Sequence, residues 1–417
     1  MIAYDAALET ILRESRALPA ESCATTQALG RIVAAPVASP AALPPFDNSA
    51  MDGYALYAGT QTLAAGRTFD VRGAQAAGDA HADATGDAQA AWEIMTGARP
   101  PEGFDTIVPV EQVERIEPTG APSRIRLSAD VAPAQHVRRR GEDVAEHAVI
   151  LRPGDCVQPQ QLMLLSALGV AELSVACRPK VAILTTGREL VDDATQALAS
   201  GEIRNSNGPF LAARLELAGA QVVHRCTVSD DPEQFRVALA DALAAGADIV
   251  VSTGAVSMGR HDFVPGTLRA LDARLHFHKV AIRPGKPLLF ARLAGGALFF
   301  GLPGNPVSCA VGLRFFVEPA LRAMLGLAQE VPLRVPLAVD YAVRAPLRFH
   351  LKGRLDCDAS GRMHAHVLAG QESSRILPLL DANAWIVIHE SVGTIPAGTL
   401  VDVHGLGHLH APAPLPA

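Results

Sequence analysis

Between Asp248 and Ser308 the sequence repeats one pattern, in which a short apolar run ends in a glycine-containing loop. The first run, residues 248–253, is rich in β-branched residues, as in a strand buried on both faces, and Gly254 permits a sharp turn at its end. Open α/β sheets bind ligands at this edge. The loops carry one carboxylate, three cations and two neutral polar groups: Asp262, Lys279, Arg283, Lys286, Asn305 and Ser308. Such a set suits a phosphate-bearing ligand together with a metal ion.

The segments around this stretch predict a multidomain protein of mixed α/β and β class. Between residues 180 and 326, strand-like runs such as 181–187 alternate with helical segments that contain Pro209 and Pro232 near their starts. Strands joined by helices of this length run parallel with right-handed crossovers, so we predict a doubly wound domain over 180–326. Residues 327–417 lose the helical period and show short alternating runs, which predicts a C-terminal β-barrel or sandwich.

The N-terminal part contains an amphipathic helix, a proline boundary and a β-rich stretch. Residues 1–43 begin with the helix and end at Pro44 and Pro45, which fix an extended path and mark a domain boundary. Residues 44–141 consist of short alternating runs separated by glycine, aspartate and proline, which predicts a small β-rich domain. A helical pattern then returns over residues 154–169.

The chain length and the net charge favour a multidomain enzyme over a protein that binds nucleic acid or membranes. The chain has 417 residues, more than one core usually serves, and carries a net charge of −7 with a pI of about 6.1. This charge argues against general affinity for nucleic acid or for anionic membranes. The six cysteines are scattered with no pair at metal-ligand or redox spacing, as in a reducing cytosol. Because the sequence also lacks a signal-peptide pattern and an unbroken apolar span, we expect a cytoplasmic enzyme that does not enter a membrane.

Acidic residues in loops are the candidate ligands of a divalent metal ion. They are Asp52, Asp143, Glu189, Asp230 or Asp231, and Asp262. Magnesium binds carboxylate oxygens together with phosphate oxygens and water, so a few well-placed acids suffice. Each acid has an alternative role as the cap of a turn or helix, and for Asp230 and Asp231 both roles stay open. Glu189 and Asp262 each follow a glycine loop at a strand end, which favours the metal site.

Two basic turns and one helix start are candidate anion sites. Arg138 and its two arginine neighbours precede Asp143, so cations and a carboxylate share a turn. A proline-stiffened turn presents Arg283 and Lys286 with little conformational freedom to lose on binding. Asn305 stands at the expected N-cap of an apolar helix, where free N–H groups favour phosphate. Simple capping is the alternative there, and the two roles are compatible.

Several stretches of the chain also share an order along the sequence. They are PPFDNSAMDGYAL (44–56), WEIMTGARPPEGFDTIVPVE (92–111), RRRGEDV (138–144), AILTTGREL (182–190), GEIRNSN (201–207), STGAVSMGRHDFV (252–264), KVAIRPGKPLLF (279–290) and GLPGNPVS (301–308). In this order they resemble the molybdopterin molybdenumtransferases, the MoeA family, whose animal relative is the homologous part of gephyrin. The resemblance extends over nearly the whole chain.

The resemblance implies an elongated homodimer of four-domain subunits. Residues 1–43 and 142–179 would form one discontinuous domain around the inserted β-rich domain at 44–141, followed by the MogA-like molybdopterin-binding domain at 180–326 and the C-terminal domain at 327–417. The doubly wound domain of one subunit would face the β-rich domain of the other, so that both subunits share the site. The resemblance allows molybdopterin adenylyltransferase and molybdoenzyme-maturation proteins as partners, with no nucleic acid and no membrane.

The resemblance also implies a reaction and a set of site residues. Adenylylated molybdopterin and molybdate would be the substrates, and cleavage of the adenylate with Mg²⁺ would release molybdenum cofactor and AMP. The implied catalytic residues are Asp52, Thr96, Arg138, Asp143, Asp262 and Lys279. The implied substrate-binding residues are Gly254, Ser257, Arg283, Lys286, Pro303, Gly304, Asn305, Ser308 and Ser374. The implied metal ligands are Glu189, Asp262 and one of Asp230 and Asp231.

Several positions depart from the family pattern. Arg283 stands where a lysine is usual, which keeps the charge and changes its shape from a point to a fork. Ala255 replaces a glycine, so we expect its methyl group to oppose a positive φ or to crowd a phosphate. Arg188 and Asn205 stand where the family often has aspartate, which removes acids that would be available to a metal.

The residues leave other questions open. Near the C terminus the stretch RFHLKGRL aligns poorly with the family, so which of Arg348, Lys352 and Arg354 reaches the ligand is undecided. One alternative function is the preceding adenylyl transfer, which uses the same type of doubly wound domain; the domains on both sides of 180–326 argue against it. The other is a gephyrin-like interaction scaffold. The sequence shows no long disordered linker before the first helix, and this argues against a scaffold.

Overall fold

The computed structural model describes residues 1–80, 82, 87–117, 123–255 and 263–416. The chain forms two compact units. The first unit contains Met1–Glu21, Gly30–Ala34 and Val175–Ala417, and the second contains Ser22–Leu29 and Ala35–Ser174. The four domains expected from the sequence divide the chain more finely, and their boundaries stay predictions.

The helices within the described ranges begin and end as follows. They are α1 Tyr4–Glu14, α2 Pro159–Ala167, α3 Asn207–Leu217, α4 Pro232–Ala244, α5 Val264–Ala270, α6 Pro306–Gly312, α7 Glu318–Met324 and α8 Pro378–Asp381, with 3-10 turns at Thr25–Gln27 and Val110–Gln112 and a π-helical turn at Leu313–Val317. Helix α4 starts with proline in its first turn, as the sequence predicts. No described helix combines the length and the apolar character needed to cross a membrane.

The strands are short, and many contain only two to five residues. They are β1 Ala20–Ala24, β2 Val37–Ala38, β3 Asn48–Ser49, β4 Gly53–Leu56, β5 Thr68–Gln75, β6 Ala90–Ile94, β7 Thr106–Pro109, β8 Val113–Ile116, β9 Arg124–Leu127, β10 Val137–Arg138, β11 Val149–Leu151, β12 Glu172–Ala176, β13 Lys180–Thr186, β14 Leu190–Val191, β15 Ile203–Arg204, β16 Gln221–Val228, β17 Ile249–Thr253, β18 Arg274–His278, β19 Ile282–Arg283, β20 Leu289–Arg292, β21 Leu298–Leu302, β22 Leu333–Pro336, β23 Tyr341–Val343, β24 Arg348–Cys357, β25 Met363–Val367, β26 Ala384–Ile388, β27 Gly393–Ile395, β28 Leu400–Gly405 and β29 Leu415–Pro416.

The central sheet of the first unit has the strand order β16-β13-β17-β21-β20-β18. Strands β16, β13, β17 and β21 run parallel, and β20 runs antiparallel to its neighbours β21 and β18. The chain leaves β13 through α3 to reach β16 on one side, then returns through α4 to β17 on the other side. This reversal confirms the doubly wound prediction. In open sheets it creates a crevice at the carboxyl ends of the strands, where ligands bind.

Apolar side chains cover both faces of this sheet. Along β13, Val181 and Ile183 pack into one cluster with Leu211 of α3, whereas Leu184 packs into another cluster with Phe235 of α4. Successive side chains of a strand alternate between faces, so the unbroken apolar run of β13 serves two cores. Burying each of these large side chains contributes about 1.5–3 kcal/mol. The strand therefore stays apolar until it approaches its carboxyl end.

The C-terminal part of the first unit is built on a second, mainly antiparallel sheet, in the region where the sequence predicts a β-barrel or sandwich. Its order is β19-β24-β26-β28-β22, and β25 and β29 also pair with β24. Strand β19 belongs to this sheet because Ile282 and Arg283 pair in parallel with Arg348 and Phe349 of β24. The proline-stiffened turn that carries Arg283 and Lys286 is therefore attached to the C-terminal sheet through the strand pairing of Arg283.

The second unit is β-rich, again as the sequence predicts. Its largest sheet has the strand order β7-β4-β6-β5-β9-β8, with a core that includes Tyr54, Phe69 and Ile125. A smaller pair joins β3 to β10 and sets Asn48 opposite Arg138. This pairing brings together two of the sequence motifs, the one around residues 44–56 and the basic one at 138–144.

Buried ion pairs join the helices of the first unit to its C-terminal segment. Arg314 of the π-helical turn is 3% exposed, and its Nη2 donates to both carboxylate oxygens of Glu330, at 2.6 and 2.7 Å. Glu318 is fully buried; it accepts hydrogen bonds from Arg214 at 3.1 Å and from the backbone N–H of His408 at 2.9 Å. Its second oxygen lies 3.5 Å from Arg314 Nη1. The carboxylate thus balances two guanidiniums.

We predict that Glu318→Ala lowers the free energy of unfolding of the first unit by about 3–5 kcal/mol, because buried guanidiniums would lose their counter-charge. Urea denaturation followed by circular dichroism measures the loss. The control is Glu233→Ala, which breaks an exposed ion pair with Arg236 in α4 and should leave the transition where it was. Equal midpoints for Glu318→Ala and the unmutated chain would contradict the prediction.

Candidate active site

A cavity of about 570 Å³ opens at the carboxyl ends of the parallel strands in the first unit. We call it the strand-end cavity. Its lining includes six residues predicted from the sequence: Glu189, Asp230, Gly254, Gly304, Asn305 and Ser374. The first five lie in loops that follow β13, β16, β17 and β21, and Ser374 comes from the C-terminal part of the unit. The crevice expected from the strand order is therefore present.

Gly254 sets how closely the strand ends approach each other. Its φ is +85°, and a Cβ atom at this position would lie 2.5 Å from the carbonyl oxygen of Thr186. Its own N–H donates to the carbonyl of Leu302 at 3.1 Å, so the ends of β13, β17 and β21 meet around one glycine. Any side chain here would force these strand ends apart.

The structure separates the two adjacent acids that the sequence left undecided. Asp230 lines the strand-end cavity together with Glu189. Asp231 instead caps α4, and its Oδ1 accepts hydrogen bonds from the N–H groups of Glu233 at 2.7 Å and Gln234 at 3.2 Å. Within the described ranges, no group of three or more His, Cys, Asp or Glu side chains is placed to hold a metal ion. The predicted site residues Asp262 and Ser257 lie outside the described residues.

The start of α6 forms another wall of this cavity. Asn305 occupies the N-cap position, but its side chain makes no capping hydrogen bond. The backbone carbonyl of Gly304 accepts a hydrogen bond from Asn207 Nδ2 at 2.8 Å. The N–H of Val307 donates to the carbonyl of Ser373 at 3.0 Å, so this helix-start donor is already taken. The predicted residues Pro303 and Ser308 are buried and are not among the residues that line the cavity.

A second cavity, of about 400 Å³, contains the predicted cation Arg283. We call it the arginine cavity. Arg344, Tyr341, Phe349 and Glu372 also line it. The guanidinium of Arg283 lies 5.9 Å from the centre of the Phe349 ring, a cation–π distance. Burial raises the pKa of the Tyr341 hydroxyl, and the nearby guanidiniums of Arg283 and Arg344 act in the opposite direction.

Of the acids and cations that the sequence placed at one rim, Glu189 and Asp230 line the strand-end cavity and Arg283 lines the arginine cavity. Lys286 is exposed in the turn after Arg283, and Lys279 is half-buried with a φ of +80°; neither lines the strand-end or the arginine cavity. One short segment borders both cavities, because Glu372 lines the arginine cavity and Ser374 lines the strand-end cavity. We call residues 370–375 the dividing segment.

The remaining predicted residues lie in the second unit. Asp52 is exposed, and its Oδ1 accepts hydrogen bonds from the N–H of Thr96 at 2.7 Å and from its hydroxyl at 2.8 Å. These two bonds lower the pKa of the Asp52 carboxyl. Arg138 and Asp143 line a cavity of about 580 Å³ together with Asn48. Within this unit the structure therefore forms two small clusters of predicted residues.

Comparisons with known proteins assign the chain to a family. Family profiles match residues 2–169 as the MoeA N-terminal region (domain I and II), residues 182–323 as a probable molybdopterin binding domain, and residues 334–406 as the MoeA C-terminal region (domain IV). The molybdopterin molybdenumtransferase of Synechococcus elongatus is 37% identical over 97% of this chain and 100% of its own length. The chain belongs to the molybdopterin molybdenumtransferase family. The resemblance stated from the sequence motifs is confirmed.

Other relatives support the same assignment. Molybdopterin molybdenumtransferase 2 of Mycobacterium tuberculosis is 36% identical over 91% of this chain and 94% of its own. Among solved structures, the molybdopterin biosynthesis moeA protein from Pyrococcus horikoshii OT3 superimposes with a TM-score of 0.79 at 27% identity, covering 97% of this chain and 99% of that chain. The multidomain fold of the family therefore extends over nearly all of the chain.

One departure from the family pattern, Asn205, is a structural hub that the sequence analysis missed. Its buried Nδ2 lies 2.9 Å from Thr185 Oγ1 and Asp192 Oδ1 and 3.0 Å from Thr227 Oγ1, and its two N–H groups are shared among these three oxygens. Its Oδ1 accepts from the N–H of Gly208 at 3.0 Å. One amide thus connects β13, β16, the loop after β14 and the start of α3. An ionised aspartate at this position could accept hydrogen bonds but could not donate any to these oxygens.

The departure at Ala255 has a different outcome from the one expected. Ala255 adopts a φ of +52°, so its methyl group does not prevent a positive φ and that part of the expectation was wrong, whereas crowding of a phosphate stays a prediction. The left-handed region costs a residue with a Cβ about 1–2 kcal/mol. The chain thus retains a strained residue beside Gly254 at the edge of the strand-end cavity.

The structure also answers part of the question about the basic residues of β24. Arg348 donates to both carboxylate oxygens of Asp5, at 2.6 and 2.9 Å, and to Glu390 at 3.0 Å. Lys352 is fully buried and bonded to backbone carbonyls. Neither they nor Arg354 line the strand-end or the arginine cavity.

We predict that Asn205→Asp destabilises the chain near pH 7 by about 2–3 kcal/mol, because it places a buried carboxylate beside Asp192. Burial and the neighbouring charge would raise the pKa of the new carboxyl in the folded state above its unfolded value. The protonated form therefore stabilises the fold at low pH, and this stability is lost as the pH rises through the raised pKa. Urea denaturation between pH 4 and about pH 8 measures the trend.

The control is Asn205→Ala, which removes the same hydrogen bonds without adding a charge. Its loss relative to the unmutated chain should vary little over this pH range. Parallel pH profiles for the Asp and Ala variants would contradict the proposed role of charge.

We predict that Ala255→Gly raises the free energy of unfolding by up to about 1 kcal/mol, because glycine adopts a positive φ without steric cost while losing more backbone entropy on folding. Differential scanning calorimetry measures the change. Ala255→Val is the matched variant, and it should lower the free energy of unfolding, because a β-branched residue tolerates a positive φ least. A melting temperature that falls for the glycine variant would contradict the interpretation of strain.

Proposed function

We propose that this chain inserts molybdenum into molybdopterin, taking adenylylated molybdopterin and molybdate and releasing molybdenum cofactor and AMP. Its membership of the molybdopterin molybdenumtransferase family supports the reaction. The observation that carries the proposal to particular residues is the strand-end cavity, where Glu189 and Asp230 face the glycine loops after β17 and β21. Acidic side chains beside open backbone suit a phosphoanhydride bound with a divalent cation.

Glu189 and Asp230 fit a magnesium ion in this cavity. Magnesium is held by one or two carboxylates and otherwise by phosphate oxygens and water, so two acids are an adequate protein donor set. When bound, the ion supplies charge neutralisation at the phosphoanhydride. Gly254 and Gly304 line this cavity with backbone alone, which would let phosphates approach their main chain. Asp262 is our proposed third acid.

The arginine cavity is our proposed docking place for molybdate, which is a dianion. Arg283 and Arg344 present two guanidiniums there, and guanidiniums bind oxyanions through paired hydrogen bonds. Lys286 follows in the same turn, and Ser374 stands on the strand-end side of the dividing segment. In this arrangement the metal oxyanion and the adenylate enter neighbouring cavities that share a wall.

The other predicted residues enter the proposal as follows. Ser257, Lys279, Pro303, Gly304, Asn305 and Ser308 would shape the substrate site, and Lys279 would also offset its negative charge. Asp52, Thr96, Arg138 and Asp143 would complete the site of the partner subunit in a homodimer. The Asp52–Thr96 hydrogen bonds support this role, since they hold an exposed carboxylate in its charged form. Cytoplasmic localisation and contacts with molybdopterin adenylyltransferase belong to the same proposal.

The test is AMP release from adenylylated molybdopterin by the purified full-length chain. Release should require both molybdate and magnesium, and excess EDTA should stop it. Incubation of ATP with molybdopterin that is not adenylylated examines the alternative reaction. Consumption of ATP there, with no AMP release in the first assay, would overturn molybdenum insertion in favour of adenylyl transfer.

We predict that Asp230→Asn slows AMP release at least about tenfold at limiting magnesium, because it removes a charged metal ligand. Asp231→Asn is the matched control on the neighbouring residue. Asparagine caps a helix as well as aspartate does, and Asp231 does not line the cavity, so release should continue at the original rate. The reverse pattern, with loss confined to Asp231→Asn, would contradict the assignment of the metal ligand.

A further inference from the structure

The ammonium of Lys352 is buried inside the C-terminal sheet, and no carboxylate of the described residues forms an ion pair with it. Its residue is 0% exposed, and its Nζ donates to the carbonyls of Gly370 at 2.5 Å, Arg375 at 3.0 Å and Glu372 at 3.4 Å. Each N–H of the ammonium thus has a carbonyl acceptor, and all three acceptors belong to the dividing segment. A lysine this deep in a protein requires a reason, because burial of a charge is costly.

The backbone of Lys352 is bonded to the same part of the chain. Its N–H donates to Gln371 Oε1 at 3.0 Å, and its carbonyl accepts from Gln371 Nε2 at 2.9 Å and from the N–H of Leu368 at 3.1 Å. One residue of β24 therefore binds the segment through both its side chain and its main chain. The side-chain ammonium donates hydrogen bonds to the carbonyls at both ends of the segment, those of Gly370 and Arg375.

The segment that Lys352 holds is the wall between the two cavities. Glu372 faces the arginine cavity and Ser374 faces the strand-end cavity. Between them, the carbonyl of Ser373 accepts from Val307 at the start of α6, whose preceding residues line the strand-end cavity. A shift of the segment would therefore move groups in both cavities at once.

An apolar side chain could fill the same space with a smaller desolvation penalty than a buried ammonium. Replacing a buried charge by a well-packed apolar side chain is often neutral or stabilising, so stability alone does not explain the lysine. Three carbonyls that converge on one point require a donor with several N–H groups, and only an ammonium or a guanidinium provides them. The three N–H groups of the Lys352 ammonium are therefore suited to fixing the backbone of the dividing segment.

We infer that Lys352 is a positioning residue, whose ammonium holds residues 370–375 so that Glu372 and Ser374 keep their places in the two neighbouring cavities. The role in catalysis rests on the proposed function, whereas the ordering of the segment can be measured without any substrate. Lys352 acts from inside the protein and does not itself contact molybdate or the adenylate.

The test uses limited trypsin digestion of the full chain, well below its melting temperature. Trypsin cleaves after arginine, and the bond after Arg375 lies at the end of the segment that Lys352 binds. Lys352→Met fills similar space without donors and should accelerate this cleavage at least about tenfold, since a hydrogen bond from a charged donor is worth about that factor. Mass spectrometry identifies the cut, and cleavage after Arg362, at the turn between β24 and β25, serves as the internal reference.

The matched control variant is Arg348→Met. It lies on the same strand, is also buried, and loses its ion pairs with Asp5 and Glu390 while leaving the dividing segment untouched. It should not change the ratio of cleavage after Arg375 to cleavage after Arg362. If Lys352→Met is not recovered folded, Lys352→Gln replaces it, with the same acceleration expected.

In the AMP-release assay, Lys352→Met should raise the molybdate concentration for half-maximal release at least about fivefold, because both cavity walls lose their anchor. An unchanged cleavage ratio together with an unchanged molybdate dependence would overturn the inference. Failure of the unmutated chain to release AMP would refute the proposed function alone. The cleavage ratio would still decide whether Lys352 orders the segment.

Discussion

The candidate site depends on the close approach of strands β13, β17 and β21 at their carboxyl ends. At Gly254 a Cβ atom would lie 2.5 Å from the carbonyl oxygen of Thr186, and the hydroxyl of Thr186 donates to the carbonyl of Thr253 at 2.9 Å. Parallel strands held this tightly bring the following loops to one place. Glu189 and Asp230 can therefore share a cavity although neither is near the other in sequence.

The second organising feature is that the predicted acids and the predicted Arg283 lie in two different cavities. Glu189 and Asp230 line the strand-end cavity together with Arg204, whereas Arg283 and Arg344 line the arginine cavity together with Glu372. Carboxylates and guanidiniums in contact would form ion pairs with each other and would have less affinity left for a cation or an oxyanion. With the dividing segment between them, Glu189 and Asp230 form no ion pairs with Arg283 and Arg344. The buried ammonium of Lys352 makes that wall a defined part of the structure.

Structural and functional roles are distributed over adjacent residues. Asp231 caps α4, which leaves Asp230 to face the cavity. Asn205 connects strand ends, a loop and a helix start through one amide, a network whose members rigidify one another. The strain at Ala255, with a φ of +52°, is retained beside this network. Such strain persists only where the surrounding structure fixes the backbone, and it often accompanies a binding site.

The sequence by itself determined the doubly wound sheet, the β-rich parts and the edge at which ligands bind, because strand and helix periods and glycine turns are local signals. It also selected Glu189 and Gly254 as candidates, since both lie in glycine-containing loops at strand ends. Only the tertiary structure showed that Asp230 lines the strand-end cavity whereas Asp231 caps α4, because only Asp231 has helix N–H groups within reach. It alone placed Arg283 in another cavity, through the pairing of β19 with distant β24. The roles of Asn205 and Lys352 likewise arise from contacts between segments far apart in sequence, which no local pattern encodes.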